Sequence, residues 1–474
     1  MLFQSVDKIK LDKEVGMCRF EKIGGKYLLT NDVGRFIFLD SESFKNFLEG
    51  ELDKNGDLYR KLKNDYFIKT ENPDELAQKY QQRNAFLFRG PSLHIAVVTL
   101  RCNHNCLYCQ VSSRNTDDKK YDMTPEVARK VVDNAFKSPS PAITIEFQGG
   151  EPLLNWPVIK TIVQYAKEKN EQKRKSLSIA MVSNFSLMDE QKCNFLLENR
   201  VAVNTSLDGP EELHNKNRIW LAGNSYGETI KWIKKIREKE KENPALPKIG
   251  ALTTISKHSL EYPEEIVNEY LKFGFKEVHL RPLSYLGLSG KLKNQIGYSP
   301  EEFMSFWKKA MDYIIKKNLE GKYIHERGSR IILQKILTDN DPNYLDLRSP
   351  CGAGIGQITY DYDGKVFTCD EGRMLGNDAF LIGNINTDEY GEIASHPTIK
   401  TVCTASLLEN LPCDNCVFKP YCGTCPVQNY ALYGNIFAQM PNSERCKIQK
   451  EIFKYLFSKL SEEKTRKVFE SWLS

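Results

Sequence analysis

The chain has 474 residues, of which 41% are hydrophobic and 27% charged, an ordinary globular composition that excludes a wholly disordered protein and predicts about three domains. Its 67 Lys and Arg exceed its 62 Asp and Glu by only five, so charge alone predicts no binding to nucleic acid. No apolar run approaches the roughly 20 residues of a membrane helix, and the first residues do not resemble a secretory signal. We therefore expect a cytoplasmic protein with no nucleic acid and no membrane as partner.

The first predicted unit is a small N-terminal α+β domain over residues 1–89. Strand-like runs at Tyr27–Thr30 and Arg35–Leu39 flank a turn, and Ser41–Glu49 has a helical pattern. A hairpin followed by helices suits a module that binds an extended peptide as an added strand. It equally suits a domain that only packs against its neighbour, and the sequence leaves both interpretations open.

The middle of the chain, residues 90–325, alternates strand-like runs with helical segments. The sequence predicts six strands, at Leu93–Thr99, Ile143–Phe147, Leu177–Val182, Val201–Ser206, Gly250–Thr254 and Val278–Arg281. Helices between successive strands predict a parallel sheet with all crossovers of one hand. The predicted fold class is therefore α/β, a partial, TIM-like (β/α)6 barrel with its chemistry at the carboxyl ends of the strands.

The last part of the chain is rich in cysteine. Residues 326–347 are predicted to be a linker, and eight of the thirteen cysteines then lie between Cys351 and Cys446. Disulfides are rare in a reducing compartment, so these cysteines indicate metal or redox chemistry. We predict a metal-organised domain over residues 348–474 that ends in a helix.

Three more cysteines follow the first predicted strand. Cys102, Cys106 and Cys109 form a Cys-x3-Cys-x2-Cys motif. A four-iron cluster normally takes one cysteine per iron, so three cysteines leave one iron open to another ligand. The alternative is a zinc site with His104 as the fourth ligand.

Two further motifs end predicted strands. Gln148–Pro152 contains paired glycines, which allow close approach of backbone to a ligand, and a carboxylate that can hold an ammonium group. Ser206–Pro210 ends the fourth strand, and Arg218 follows shortly after it. Taken alone, each motif is typical of an ordinary turn.

Together these motifs resemble the radical S-adenosylmethionine (SAM) superfamily, from Leu93 to about Pro282. In that family the open iron of a [4Fe-4S] cluster binds SAM, and an electron from the cluster cleaves SAM to a 5′-deoxyadenosyl radical that abstracts a hydrogen atom from the substrate. The resemblance implies that the cluster is held by Cys102, Cys106 and Cys109. It implies that Gly149, Gly150 and Glu151 hold the methionine amine. It also implies that Tyr108 lies near the adenine. It assigns the ribose and the methionine carboxylate to Ser183, Asn184, Ser206, Asp208 and Arg218.

The C-terminal cysteines are similar to the SPASM domain of peptide-modifying radical SAM enzymes, which carries two auxiliary [4Fe-4S] clusters. The resemblance implies one cluster on Cys351, Cys369 and Cys425. It implies the other on Cys413, Cys416, Cys422 and Cys446. The chain departs from the family in having two residues, not three, between Cys422 and Cys425. Cys403 either completes the first set or is a bystander, and a pair of zinc knuckles is the alternative to both clusters. Cys18 and Cys193 stand apart and are expected to be inert thiols.

Asp370 directly follows a SPASM cysteine. In the sulfatase-maturing branch of this family an aspartate at that place is a candidate general base, and a carboxylate suits proton removal from an intermediate. The alternative is a solvated ion cluster of Asp370, Glu371 and Arg373. On the sixth strand, His279 and Arg281 share one face, so they either contact SAM or substrate or simply line the barrel.

Four longer segments narrow the resemblance to the B-type radical SAM maturase of the His-Xaa-Ser system. They begin at Gly90, Phe147, Arg348 and Cys369 and read GPSLH, FQGGEPLLN, RSPCGA and CDEGRML. The resemblance implies a crosslink or oxidation installed on a ribosomally synthesised precursor peptide. It also implies a flavodoxin- or ferredoxin-type electron donor and a second radical SAM protein as partners, and it makes the N-terminal domain a peptide-recognition element. The alternatives are a sulfatase-type or small-molecule-modifying enzyme and, more remotely, a non-catalytic zinc-binding scaffold.

Overall fold

The computed structural model describes residues 11–70, 72–437 and 440–474. The first ten residues of the predicted N-terminal domain lie outside this range. Among the helices of the described residues, none is long and apolar enough to cross a membrane.

The N-terminal part is a three-stranded antiparallel sheet covered by helices. Its elements are β1 (Arg19–Ile23), β2 (Lys26–Thr30), β3 (Phe36–Leu39), α1 (Ser41–Glu49), α2 (Asp57–Asn64) and α3 (Pro73–Arg83). The predicted strands and the predicted helix correspond to β2, β3 and α1, and β1 adds an edge strand. Apolar side chains from the sheet and helices form a separate small core, which includes Leu29, Ile37, Leu39, Phe44, Phe47 and Leu62.

This N-terminal sheet packs against the cysteine-rich C-terminal segment. The Thr30 hydroxyl donates to the Val417 carbonyl at 2.6 Å. Phe36 and Phe38 both lie edge-on to Phe457, with ring centroids 5.3 and 6.2 Å apart. The N-terminal sheet is therefore held against the C-terminal segment by these contacts.

The central region contains the six predicted parallel strands and four short ones. The strands are β4 (Leu93–Thr99), β5 (Asn105–Cys106), β6 (Ala142–Gly149), β7 (Ser176–Val182), β8 (Val201–Ser206), β9 (Arg218–Ile219), β10 (Gly250–Thr254), β11 (Glu277–Val278), β12 (Leu280–Arg281) and β13 (His325–Glu326). The order in the sheet is β12-β10-β8-β7-β6-β4, so each parallel strand lies beside its predecessor. This is the open, partial barrel that the sequence predicts.

Ten helices accompany these strands within the described residues. They are α4 (Pro125–Lys137), α5 (Trp156–Lys173), α6 (Glu190–Glu198), α7 (Glu211–Asn217), α8 (Ser225–Glu242), α9 (Pro263–Lys272), α10 (Gly287–Lys291), α11 (Lys293–Ile296), α12 (Pro300–Leu319) and α13 (Arg327–Leu337). Local capping fixes several starts, for example the Thr124 hydroxyl, which accepts from the Val127 amide at 3.2 Å. Helix α13 lies in the predicted linker, and its buried Ile332, Leu333 and Ile336 join the central core.

The C-terminal region extends the same sheet. Its elements are β14 (Gln357–Tyr360), β15 (Lys365–Phe367), α14 (Asp370–Met374), β16 (Leu381–Asn384), α15 (Tyr390–Ala394), α16 (Pro397–Ser406), α17 (Pro426–Tyr433), α18 (Glu444–Leu460) and α19 (Glu463–Ser471). β14 pairs parallel with β4, and β15 and β16 follow antiparallel, which gives a mixed sheet of nine strands. This extension was not predicted, and it carries the chain after β15, including Asp370, to the mouth of the barrel.

Candidate active site

The carboxyl ends of the parallel strands open into one cavity of about 440 Å³, a volume that suits a small-molecule ligand. Twelve of the residues singled out from the sequence for the SAM cluster, for SAM and for the proton line it: Cys102, Cys106, Tyr108, Cys109, Gly149, Gly150, Glu151, Ser183, Asn184, Ser206, Arg218 and Asp370. They come from strands far apart in sequence, because loops after parallel strands meet at one edge of the sheet. Asp208 is the exception and lies behind the cavity wall.

The loop with the three cysteines is fixed by backbone hydrogen bonds on both sides. The Cys102 amide donates to the Arg114 carbonyl at 3.0 Å, and Cys106 pairs with Arg218 where β5 meets β9. Burial raises the pKa of the Cys106 thiol to about 11, and the pKa of Cys102 is raised further, again by burial. Such thiols become thiolates when a metal binds them.

His104 occupies the same loop, and its ring has no hydrogen-bond partner among the described residues. Its ring stacks on Trp220 with centroids 5.5 Å apart, and both ring nitrogens are buried and unpaired among the described residues. Burial lowers the pKa of His104 to about 3, so the imidazole is neutral. Across the described ranges, no three His, Cys, Asp or Glu side chains are grouped to hold a single metal ion.

The paired glycines pack against the residues that lead into the cysteine loop. The Gly150 amide donates to the Thr99 carbonyl at 2.9 Å, and the Glu151 amide donates to the Arg101 carbonyl at 2.8 Å. A Cβ on Gly150 would lie 2.1 Å from the Arg101 carbonyl oxygen, and Gly149 has a φ of +134°. Only glycine fits here, because any side chain would push the turn away from the strand that leads into Cys102.

Glu151 is buried and fully engaged. One carboxylate oxygen accepts from the Ser183 hydroxyl at 2.8 Å and from the Leu153 amide, and the other accepts from the Asn184 amide at 2.8 Å. Burial raises the pKa of Glu151, while these donors oppose the shift. Ser183 and Asn184, assigned by resemblance to the ribose or the methionine carboxylate, thus also orient the carboxylate assigned to the amine.

Tyr108, Asp208 and Arg218 form a buried chain. The Tyr108 hydroxyl donates to the Asp208 carboxylate at 2.6 Å and accepts from the Arg218 guanidinium at 2.9 Å. Burial raises the pKa of Asp208 to about 6, and the Arg218 charge opposes the shift. Asp208 is 0% exposed, so it positions Tyr108 from behind and does not itself form the cavity wall.

Part of the cavity lining is charged. Asp370 begins α14 and accepts from Arg373 Nε at 2.8 Å in a buried ion pair. His279 and Arg281 line the cavity, as does Glu371. Asp370 faces the cavity, as a general base requires, and its ion pair with Arg373 is buried, so the alternative of a solvated ion cluster is wrong about solvation.

Sequence reasoning missed several wall residues. Glu146 lies two residues before Gln148 on β6, and this alternation is the signal that would have placed both on the cavity face. Arg327 from α13 and Tyr344 from the segment after it also line the cavity. No local pattern marks these two, because only the packing of α13 against the barrel brings them there.

The C-terminal cysteines form two groups. Burial raises the pKa of Cys413 to about 12, and three further thiols lie close enough to add to that shift: Cys416, Cys422 and Cys446. The second group is more deeply buried and comprises Cys351, Cys369 and Cys425. Cys403 is joined to neither group by any contact of its thiol within the described residues, although Arg348 lies near both Cys351 and Cys403.

These residues fit an iron–sulfur cluster with an open position and a SAM-sized ligand beside it. Three thiols face the cavity and a fourth cysteine is absent from its wall, which is the donor set that leaves one iron open. The glycine turn packs directly on the backbone that leads into the cysteine loop, and the unpaired imidazole of His104 leaves polar atoms for a ligand. A multi-iron cluster binds one thiolate per iron, so the cysteines need not surround a single point.

Comparison with known proteins agrees with this geometry. The sequence profile of the Radical SAM superfamily matches residues 96–270. A cysteine-type anaerobic sulfatase-maturating enzyme of Clostridium novyi (strain NT) is 24% identical over 372 residues, which cover 78% of this chain and 94% of that enzyme.

Two solved structures share the fold. Native anSMEcpe with bound AdoMet superposes with a TM-score of 0.66 at 20% identity, over 79% of this chain and 99% of that one. Streptococcus suis SuiB bound to precursor peptide SuiA gives a TM-score of 0.55 at 14% identity, over 91% and 98%. Their superposition includes the C-terminal region and is consistent with a SPASM-like domain there. Residues 96–270 are therefore a Radical SAM domain, and the chain is homologous to anaerobic sulfatase-maturating enzymes.

Proposed function

We propose that this enzyme cleaves SAM reductively and modifies a ribosomally synthesised precursor peptide. The observation that carries the proposal is that the three thiols and Asp370 line the same cavity. When bound, the cluster supplies the electron that releases a hydrogen-abstracting 5′-deoxyadenosyl radical from SAM. Because these residues border one space, cofactor and substrate meet there.

In this proposal the barrel residues bind and orient SAM. Cys102, Cys106 and Cys109 hold the cluster. The turn at Gly149 and Gly150 admits the methionine amine close to the backbone, and the Glu151 carboxylate is held ready for that ammonium by Ser183 and Asn184. Tyr108 borders the adenine and is fixed by Asp208, while Ser206 and Arg218 serve the ribose and the methionine carboxylate.

In this proposal the residues around Asp370 act on the substrate. Asp370 accepts the proton that the oxidised substrate loses, and Arg373 fixes its carboxylate through the 2.8 Å bond. The two C-terminal thiol groups hold auxiliary [4Fe-4S] clusters. The two sets are Cys351, Cys369 and Cys425, and Cys413, Cys416, Cys422 and Cys446.

A peptide as substrate is supported by two relatives. SuiB is bound to a precursor peptide in the superposed structure, and the Clostridium novyi relative is named for maturation of a sulfatase. The second name also favours a second candidate, in which the substrate is a sulfatase polypeptide rather than a dedicated precursor. A flavodoxin- or ferredoxin-type donor supplies electrons, and a second radical SAM protein is the other proposed partner.

We also propose that the N-terminal domain binds the leader of the precursor at its sheet. β1 is an edge strand, and Phe20 on it is 51% exposed. The full-length variant Phe20→Asp is expected to weaken binding of a fluorescently labelled leader about tenfold by anisotropy. Leu319→Asp, at another exposed apolar side chain, is the matched control, and unchanged affinity in Phe20→Asp would sink leader docking at β1.

The main proposal is tested by anaerobic reconstitution followed by product analysis. About twelve irons per chain, as three four-iron clusters, and 5′-deoxyadenosine formed with SAM and dithionite are the expected results. The peptide encoded by a neighbouring short reading frame and a sulfatase-derived peptide are then offered in parallel, and mass change identifies the substrate. Zinc without iron, with SAM left intact, would overturn the proposal.

Asp370→Asn separates SAM cleavage from substrate turnover. The variant is expected to form 5′-deoxyadenosine at the wild-type rate, because Asp370 is not among the residues proposed to bind the cluster or SAM. Modified peptide should fall by about 100-fold, the usual contribution of a general base. Undiminished modified peptide would remove Asp370 as the proton acceptor.

A further inference from the structure

A groove of about 620 Å³ lies on the outer surface between α12 and α18. Its walls carry the lysines Lys308, Lys447, Lys450 and Lys454 and only two acidic residues, Glu301 and Glu451. The groove is therefore positively charged, in a chain whose overall excess of positive charge is only five.

Part of this charge has no counterion in the protein. Lys308 pairs with Glu451 at 2.8 Å, and Lys454 pairs with Glu21 at 3.0 Å. For Lys447 and Lys450 the described part of the chain offers no ion-pair partner. Two free ammonium groups on one face of a helix are available to an acidic partner.

The groove adjoins the more exposed of the two C-terminal thiol groups. Cys446 lies on α18 directly before Lys447 and one turn before Lys450. Its thiol is half-buried, as are those of Cys413, Cys416 and Cys422, whereas the thiols of the other group are 3–6% exposed. The rate of electron transfer falls steeply with distance. A redox partner therefore transfers electrons fastest when it docks over the group of four thiols that includes Cys446.

We propose that this groove is the docking surface for an acidic one-electron carrier protein of the flavodoxin type. The inference rests on the proposed function, since it requires iron–sulfur clusters on these thiols. In the step that it serves, the carrier loses one electron and the enzyme gains one, and no covalent bond forms or breaks. Complementary charge accelerates such encounters and makes them sensitive to salt.

A second basic groove offers a matched control. It has a volume of about 1090 Å³, and Lys234, Lys241, Lys248, Lys272 and Lys276 are among its lining residues. It borders Gly250, the first residue of β10, and so lies at the amino ends of the strands, away from the thiols. A nonspecific attraction between an acidic carrier and lysines would use this larger groove at least as well.

The test compares Lys447→Glu/Lys450→Glu with Lys234→Glu/Lys241→Glu in the reconstituted enzyme. The two variants change net charge equally, and iron content checks that both keep their clusters. Calorimetry with purified flavodoxin should show binding weakened about tenfold or more in the first variant and unchanged in the second. Carbodiimide crosslinks between the wild-type enzyme and flavodoxin should map to Lys447, Lys450 or Lys454.

Activity then separates docking from chemistry. SAM cleavage driven by reduced flavodoxin should fall at least about tenfold in Lys447→Glu/Lys450→Glu, while cleavage driven by dithionite stays at the wild-type rate. Failure of dithionite-driven cleavage in the wild type would count against the proposed function. In that case the binding and crosslinking experiments would still test the groove as a docking surface. The docking proposal is overturned if the wild type does not bind flavodoxin, if Lys234→Glu/Lys241→Glu weakens binding instead, or if the crosslinks lie elsewhere.

Discussion

The cysteines at the mouth of the barrel and those of the C-terminal region are built differently. In the barrel, three thiols share a polar cavity with a glycine turn, a buried glutamate and a tyrosine. In the C-terminal region, one group of four thiols lies near the surface, and a group of three is packed among apolar side chains such as Phe380 and Val402. The barrel thiols border a cavity with room for a ligand, whereas the group of three C-terminal thiols is packed among apolar side chains.

This difference separates two roles for the same side chain. A cluster with an incomplete set of protein ligands and a cavity beside it can bind and transform a small molecule. A cluster enclosed by protein can store or relay an electron but cannot take a further ligand. Under the proposed function, the barrel thiols therefore serve SAM cleavage and the C-terminal thiols serve electron transfer.

The strongest test of this comparison removes the thiols of one region at a time. Cys102→Ala/Cys106→Ala/Cys109→Ala is expected to abolish 5′-deoxyadenosine formation. Cys413→Ala/Cys416→Ala is expected to lose about one third of the iron, as one of three four-iron clusters, and to keep SAM cleavage with dithionite. Cys193→Ala, at a buried thiol outside every group, is the control and should match the wild type. Loss of SAM cleavage in both multiple variants would erase the distinction between the regions.

The glycine turn belongs to the barrel site alone and gives the next largest effect. Gly150→Ala places a Cβ 2.1 Å from the Arg101 carbonyl oxygen, where only backbone could move, so we expect destabilisation of about 3 kcal/mol or more and loss of SAM binding. Gly391→Ala is the matched control, because no heavy atom lies within 4 Å of its Cβ position. The control should change the free energy of unfolding by about 1 kcal/mol at most, in the stabilising direction for a helix. Denaturant unfolding and SAM-binding calorimetry measure both, and a well-folded, SAM-binding Gly150→Ala variant would contradict the tight docking of this turn.

The sequence predicted the barrel and its site because their signals are local. Leu93–Thr99 and the five strands after it are apolar runs with helices between them, and their carboxyl ends carry the motifs. The strands β14 to β16 were not predicted, because runs as short as Lys365–Phe367 show no clear alternation. These strands join the sheet only because β14 pairs with the edge strand β4. Asp208 shows another limit, since the family resemblance assigned it to SAM, but the structure places it behind Tyr108.

Glu151 tests whether the barrel cavity recognises a charged ligand. Glu151→Gln keeps the shape but removes the charge and sets an amide group against the donors from Ser183 and Asn184. A hydrogen bond to a charged group contributes about 1.5–3 kcal/mol, so the dissociation constant of SAM should rise about 10- to 100-fold. Glu171→Gln, at an exposed glutamate on α5, is the control. Calorimetry with SAM decides it, and unchanged affinity in Glu151→Gln would show that the carboxylate does not face the methionine amine.

The smallest expected effect is a pH dependence that Asp208 gives to the barrel region. Burial raises the pKa of Asp208 from 3.8 to about 6, so between these pH values the folded chain holds a proton that the unfolded chain releases. Asp208 should therefore lower the free energy of unfolding of the cluster-free protein by about 3 kcal/mol at most as the pH rises from about 4 to about 6. The C-terminal thiols contribute nothing in this window, because burial raises the pKa of Cys413 and of Cys351 to about 12.

Asp208→Asn isolates that contribution from other carboxylates that titrate in the same range. The difference in unfolding free energy between the wild type and Asp208→Asn should shrink from pH 4.5 to pH 6.5, whereas the difference for Asp117→Asn, at an exposed carboxylate, should stay constant. Urea unfolding at a series of pH values measures both differences. Because Arg218 stays buried beside residue 208, the variant is also expected to be less stable at every pH. A difference that does not change with pH would mean that Asp208 is ionised throughout, and the chain of Tyr108, Asp208 and Arg218 would then be an ordinary buried ion pair.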